Sequence, residues 1–123
     1  MKKILLVVAL IAATHIATYA QAPQAFNYQG VARNTSGVPI ANTNMNLRLT
    51  VHDLTATGTV VYQETHFITT NTFGLYNVAV GKGTPTFGAF NGIAWEAGGK
   101  YLQVEIDPAG GTAFDNLGSS QLL

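Results

Sequence analysis

Polar and apolar residues alternate most regularly in "NMNLRLTVHD", residues 44–53, where Met45, Leu47, Leu49 and Val51 take every second position. Side chains on a strand point alternately to opposite faces, so this period buries one face and leaves Asn46, Arg48, Thr50 and His52 on the other. "KYLQVEID", residues 100–107, repeats the pattern with Leu102, Val104 and Ile106 inward and Gln103 and Glu105 outward. Residues 75–80 do the same, with Tyr76, Val78 and Val80 opposite Leu75, Asn77 and Ala79. Phe26 and Tyr28 alternate with Asn27 and Gln29, which predicts a strand before the turn-forming cluster "NTSGVP".

The stretch "VVYQETHFITT", residues 60–70, is less cleanly patterned, because Val61 and Phe67 share one parity and Tyr62 and Ile68 the other. It reads as a strand partly covered on both faces, followed by a turn at Asn71–Gly74 that makes residues 69–83 half of a hairpin. Residues 84–99 carry Phe87, Phe90, Ile93 and Trp95 without a sustained period, interleaved with glycines and a proline. They read as a long crossover with one helical turn, its aromatics plugging an open end of the fold. A last strand is expected within residues 113–122. About six to seven strands with turns between them predict an all-β fold, an antiparallel β-sandwich.

The first twenty residues stand apart. Lys2 and Lys3 precede an apolar run from Ile4 to Ala17, and small residues at Thr18 and Ala20 follow, which is the layout of a cleavable signal peptide covering residues 1–20. The run is shorter than the roughly 20 apolar residues that cross a bilayer, so no membrane span is expected after cleavage. The sandwich domain then occupies residues 21–123, and the expected location is secreted or cell-surface associated. The whole chain contains no cysteine, so neither a disulfide, a thiolate metal site nor a lipid-bearing cysteine is available, and packing must hold the domain together. The terminal Leu122 and Leu123 resemble the interior of a longer chain rather than a polar end.

Without Lys2 and Lys3, four basic residues (Arg33, Arg48, Lys82, Lys100) face six acidic ones, a net charge of −2. Scattered cations in a slightly acidic domain exclude a phosphate-backbone binder, so no nucleic-acid partner is expected. His52 and His66 lie on neighbouring strands with Asp53 and Glu64 nearby, and two imidazoles with a carboxylate could ligate zinc if they met at one point. Solvated histidines are the simpler reading. Glu105 and Asp107 share a strand face, as a carboxylate pair for hydrolysis would, but a solvated face accounts for them as well. Ser36, Ser119 and Ser120 occupy no nucleophile elbow, and "GKGT" at 81–84 lacks the spacing of a phosphate-binding loop. Asn34 begins the glycosylation pattern "NTS". Trp95, Phe87, Phe90 and Tyr101 beside a glycine-rich loop are the candidate ligand-binding residues, since aromatics at one end of a sandwich can stack on sugars, although burial in the core competes with that role. Catalytic residues, cofactors and metals are assigned to none.

Taken in order, "APQAFNYQGVARN", "GVPIAN", "LRLTV", "YQETH", "TTNTFGLYNVAVGKG", "GGKYLQVEIDPAGGT" and "LGSSQLL" resemble the N-terminal module of large exported surface proteins of Bacteroidota. The pattern also resembles transthyretin-like and carboxypeptidase-regulatory-like sandwiches. The resemblance implies a non-enzymatic structural or interaction module of a fibrous or adhesive protein, whose partners are downstream domains of the same polypeptide and a cell-surface glycan or protein. Two other expectations stand beside it: a carbohydrate-binding module using Trp95, and the accessory domain of an exported hydrolase.

Overall fold

The computed structural model describes residues 24–122; the expected signal segment lies outside them. Seven strands follow in chain order: β1 (Phe26–Val31), β2 (Asn44–Asp53), β3 (Val60–Thr69), β4 (Leu75–Val80), β5 (Thr84–Phe87), β6 (Lys100–Asp107) and β7 (Asp115–Leu122). Every pairing between them is antiparallel. β1 and β4 form a two-stranded sheet, and the other five form a sheet in the order β5-β3-β2-β6-β7.

β2 is the centre of the larger sheet. Its period of two places Met45, Leu47, Leu49 and Val51 in the core, none more than 1% exposed, between the inward residues of β3 and those of β6. Leu49, for example, lies opposite Glu64 on one side and Val104 on the other. The smaller sheet covers this face with Tyr76, Val78 and Val80 of β4 and the partly buried Phe26 and Tyr28 of β1. Gly30 pairs with Tyr76, and a Cβ at this position would collide with the Tyr76 hydroxyl. All ten residues at the predicted inward positions of β2, β4 and β6, namely Met45, Leu47, Leu49, Val51, Tyr76, Val78, Val80, Leu102, Val104 and Ile106, are buried.

The expected hairpin at residues 69–83 is corrected. The turn forms, with the Asn71 side-chain carbonyl accepting from the amides of Phe73 (2.8 Å) and Leu75 (3.0 Å) and Gly74 at a φ of 77°. It does not return β4 to β3, however, because β4 pairs with β1 in the other sheet. The free edge of β3 is taken by β5, with Thr65 opposite Thr84 and Glu64 opposite Pro85. β5 was also absent from the expected crossover. Its four residues are all exposed and include a proline, so it carries no alternation and tolerates a missing amide only because it lies at an edge. The helical turn of the crossover is a 3-10 turn at Phe90–Gly92.

The polar face of the larger sheet is drier than a half-wet strand implies. Thr50 is 2% exposed and His52 8%, enclosed by a layer of paired side chains on β2, β3 and β6.

Candidate functional site

The most concentrated chemistry lies where the two sheets join. Tyr62, Glu64, His66 and Ile68 share one parity on β3, and that parity faces the core. Glu64 is completely buried opposite Leu49, a position that costs several kcal/mol for an unpaired carboxylate. The fold compensates with four groups. Tyr62 Oη donates to Oε2 at 2.6 Å and His66 Nε2 to Oε1 at 2.7 Å. The Gly81 amide donates to both oxygens, at 2.9 and 3.0 Å, and the Gly83 amide to Oε2 at 3.2 Å. An ionised carboxylate only accepts, so His66 carries a hydrogen on Nε2.

Glycine is required at both turn positions. A Cβ on Gly81 would stand 2.5 Å from the Gln24 carbonyl, and one on Gly83 2.5 Å from His66 Nε2. The "GKG" letters therefore do mark an anion cradle, filled by the protein's own carboxylate. Burial raises the Glu64 pKa, but the hydrogen bonds from His66, Tyr62 and Gly81 lower it further, and the net direction is down. Burial, then Glu64, pushes the Tyr62 phenol up. A carboxylate has about four lone-pair sites, and these donors occupy them. Nothing remains with which Glu64 could take a proton from a substrate.

The zinc arrangement is not assembled. His52 lies on the opposite face of the sheet from His66, with Nδ1 donating to the Gly58 carbonyl at 2.8 Å and Nε2 2.7 Å from the Gln103 side-chain oxygen. Neither histidine is the solvated group of the simpler reading, because each ring is enclosed and partnered. Among the described residues no cluster of three or more His, Cys, Asp or Glu could hold a metal ion.

The solvated reading of Glu105 and Asp107 is likewise corrected. Glu105, 9% exposed, takes a two-pronged hydrogen bond from Arg48, Nε to Oε2 at 2.6 Å and Nη2 to Oε1 at 2.8 Å, while the guanidinium lies 4.3 Å from the centre of the Phe114 ring. Asp107 accepts the amides of Ala109 and Ala113, each at 3.0 Å, closing the loop before β7. Lys100, 4% exposed, pairs with Asp53 at 2.8 Å. These carboxylates hold strands and loops in place rather than facing each other.

The four candidate aromatics separate into two groups. Phe90 and Trp95 stand 5.8 Å apart and pack with Phe26, the Phe26–Trp95 contact being edge-on at 6.0 Å, while Phe90 meets Tyr62 edge-on at 5.5 Å. This is the aromatic plug expected of the crossover. Phe87, on β5, and Tyr101, on β6, lie on the outer face, three strand positions apart, or about 14 Å at the usual spacing. Asn34 sits in an exposed turn, its side-chain oxygen accepting from the amides of Ser36 and Val38 at 3.0 Å.

Among the described residues, a cleft with a volume of about 240 Å³ lies on the far side of the sandwich from Glu64. Tyr28, Gly30 and Val31 of β1 with Tyr76 form one wall, and Val104 with the β7 stretch from Leu117 to Ser120 forms the other. Burial, then Tyr28, pushes the Tyr76 phenol up. No local pattern of residues marks this cleft, because its walls lie on strands distant in the chain.

Residues 27–119 match the model of a protein family described as a domain of unknown function, DUF8740. No curated protein matches the chain, and no solved structure does.

Proposed function

The chain belongs to the DUF8740 family, and from that premise we propose that it is a non-enzymatic structural and interaction module, exported and displayed at the cell surface as the N-terminal head of a fibrous or adhesive protein. The observation that carries this reading is the internal satisfaction of Glu64. The most densely bonded carboxylate is consumed by donors of its own fold, and Glu105, Asp107 and Asp53 are each engaged with an arginine, a loop or a lysine. Such groups specify a fold and leave the surface to make contacts. The lysine-led apolar run of residues 1–20 supports export, and among the described residues no helix is long and apolar enough to cross a membrane.

A sugar-stacking role for Trp95 is less well supported. Its partly buried ring packs against Phe26 and Phe90, and Phe87 and Tyr101 do not join it.

The test is to express the chain with a C-terminal epitope in a diderm bacterium, fractionate the cells and sequence the N-terminus of the product. Export with Gln21 as the first residue is expected. A product that stays in the cytoplasm with residues 1–20 attached would overturn the reading.

A further inference from the structure

The smaller sheet is narrower than the larger one, and at its β1 side the mismatch leaves inward-facing positions of β7 open. At the β4 side the sheets are closed by the Glu64 bonds to Gly81 and Gly83. At the β1 side, β6 and β7 project past the covering sheet. The partner of fully buried Leu102 on β7 is Ser120, and the partner of Val104 is Gly118; both lie on the inward side of the sheet and both are exposed. Among the described residues β1 pairs only with β4, so within them its other edge presents unpaired backbone donors and acceptors above this uncovered floor.

We propose that this cleft is a docking groove for one extended strand of another polypeptide chain, pairing antiparallel with β1 and covering the inner face of β7. The proposal deepens the interaction-module reading and rests on it. Three observations define the occupant. It pairs through its backbone, because β1 offers a strand edge. It is uncharged where it faces inward, because no charged side chain lines the cleft and a charge buried there would find no partner. It is a single strand and not a second copy of this domain, because the cleft, about 240 Å³ in volume, admits the inward side chains of one strand and not a second sheet. Tyr28 and Tyr76 on one wall and Val104 and Leu117 on the other favour apolar side chains at alternate positions.

The experiment titrates the isotopically labelled chain with three acetylated and amidated heptapeptides, followed by NMR and amide hydrogen exchange. The first alternates threonine and valine, the second is the same peptide N-methylated at alternate amides, and the third has glutamate in place of valine. The first is expected to bind saturably, shifting resonances of β1 and of Leu117 to Ser120 and slowing exchange of β1 amides. The other two are expected to bind at least tenfold more weakly. Leu117→Arg is expected to weaken the first peptide at least tenfold with an unchanged circular dichroism spectrum, and Ser120→Arg serves the same purpose should the Leu117 variant not fold.

Absence of binding by the first peptide, equal binding by its N-methylated form, or full binding by a folded arginine variant overturns the proposal. So does a dimer in sedimentation that either arginine variant dissociates, since the occupant would then be a second copy. An exported chain that binds no peptide loses the groove and keeps the module reading; a chain retained in the cytoplasm loses the module reading whatever the peptides do.

Discussion

The two long sides of this sandwich solve the same problem differently. At the β3–β4–β5 side the sheets are fastened by one buried carboxylate that takes donors from β3 and from the turn between β4 and β5. At the β1–β7 side no such fastening is present among the described residues, and inward-facing positions on β7 are exposed. Buried polar groups must be fully satisfied or they destabilise, so the closed side commits many partners to one geometry. The open side commits none, and it is there that another chain has room. Rigidity and availability are thus separated across a domain only a few strands wide.

Glu64→Ala strikes the difference hardest. It orphans the Tyr62 hydroxyl, His66 and two glycine amides, and about 3 to 5 kcal/mol of stability should be lost in urea unfolding; a loss under about 1 kcal/mol would mean that water satisfies these donors as well as Glu64 does. Tyr62→Phe removes one charge-assisted bond from the same cluster. The expected cost is about 1.5 to 3 kcal/mol, and a double variant with Glu64→Ala should cost less than the two changes summed, because both act on one network.

pH separates the sides without mutation. The folded-state pKa of Glu64 lies below its ordinary value, so its contribution is complete above the usual glutamate pKa of about 4.3 and is lost as pH falls through the lower folded value. Unfolding free energy measured from neutral to acid pH should show this loss, and Glu64→Gln should flatten it; an unchanged acid slope would show that other carboxylates carry it. Burial raises the phenols of Tyr62 and Tyr76, so their contribution is complete below about pH 10 and declines as pH rises toward the folded values.

The smallest effect is expected on the open side. Ser120→Ala, at an exposed position, should change stability by no more than about 0.5 kcal/mol, and β7 amides should exchange with solvent well before those of β2. Equal protection of the two strands would erase the contrast between the sides.

Much of the fold was legible in the chain. The inward sets of β2, β4 and β6 followed from period two alone, because alternation is a local property of an extended backbone. The aromatic plug was legible in part: Phe90 and Trp95 form it with Phe26, whereas Phe87, expected beside them, is exposed on the outer face. β3 was legible in part: both its faces are partly covered, as expected, but its inward parity carries Glu64 and His66 between Tyr62 and Ile68, and a carboxylate among core residues reads as a surface group until its donors are known. The one available signal was the shared parity of Tyr62, Glu64, His66 and Ile68 together with a glycine pair in the following turn. β5 gave no signal, being short, exposed and interrupted by Pro85.

The sequence by itself determined that strands form, which faces of β2, β4 and β6 are apolar, and that no thiol holds the domain together, since composition and periodicity require no knowledge of distant neighbours. Only the tertiary structure decided that β4 leaves β3 for β1, that Glu64 is buried, and that a cleft opens beside β7. Each of these depends on groups far apart in the chain: the amides that hold Glu64 lie 17 and 19 residues beyond it, and the walls of the cleft come from β1, β4, β6 and β7. Hydrogen bonds and packing across such separations are chosen by the whole fold, not by the residues on either side of them.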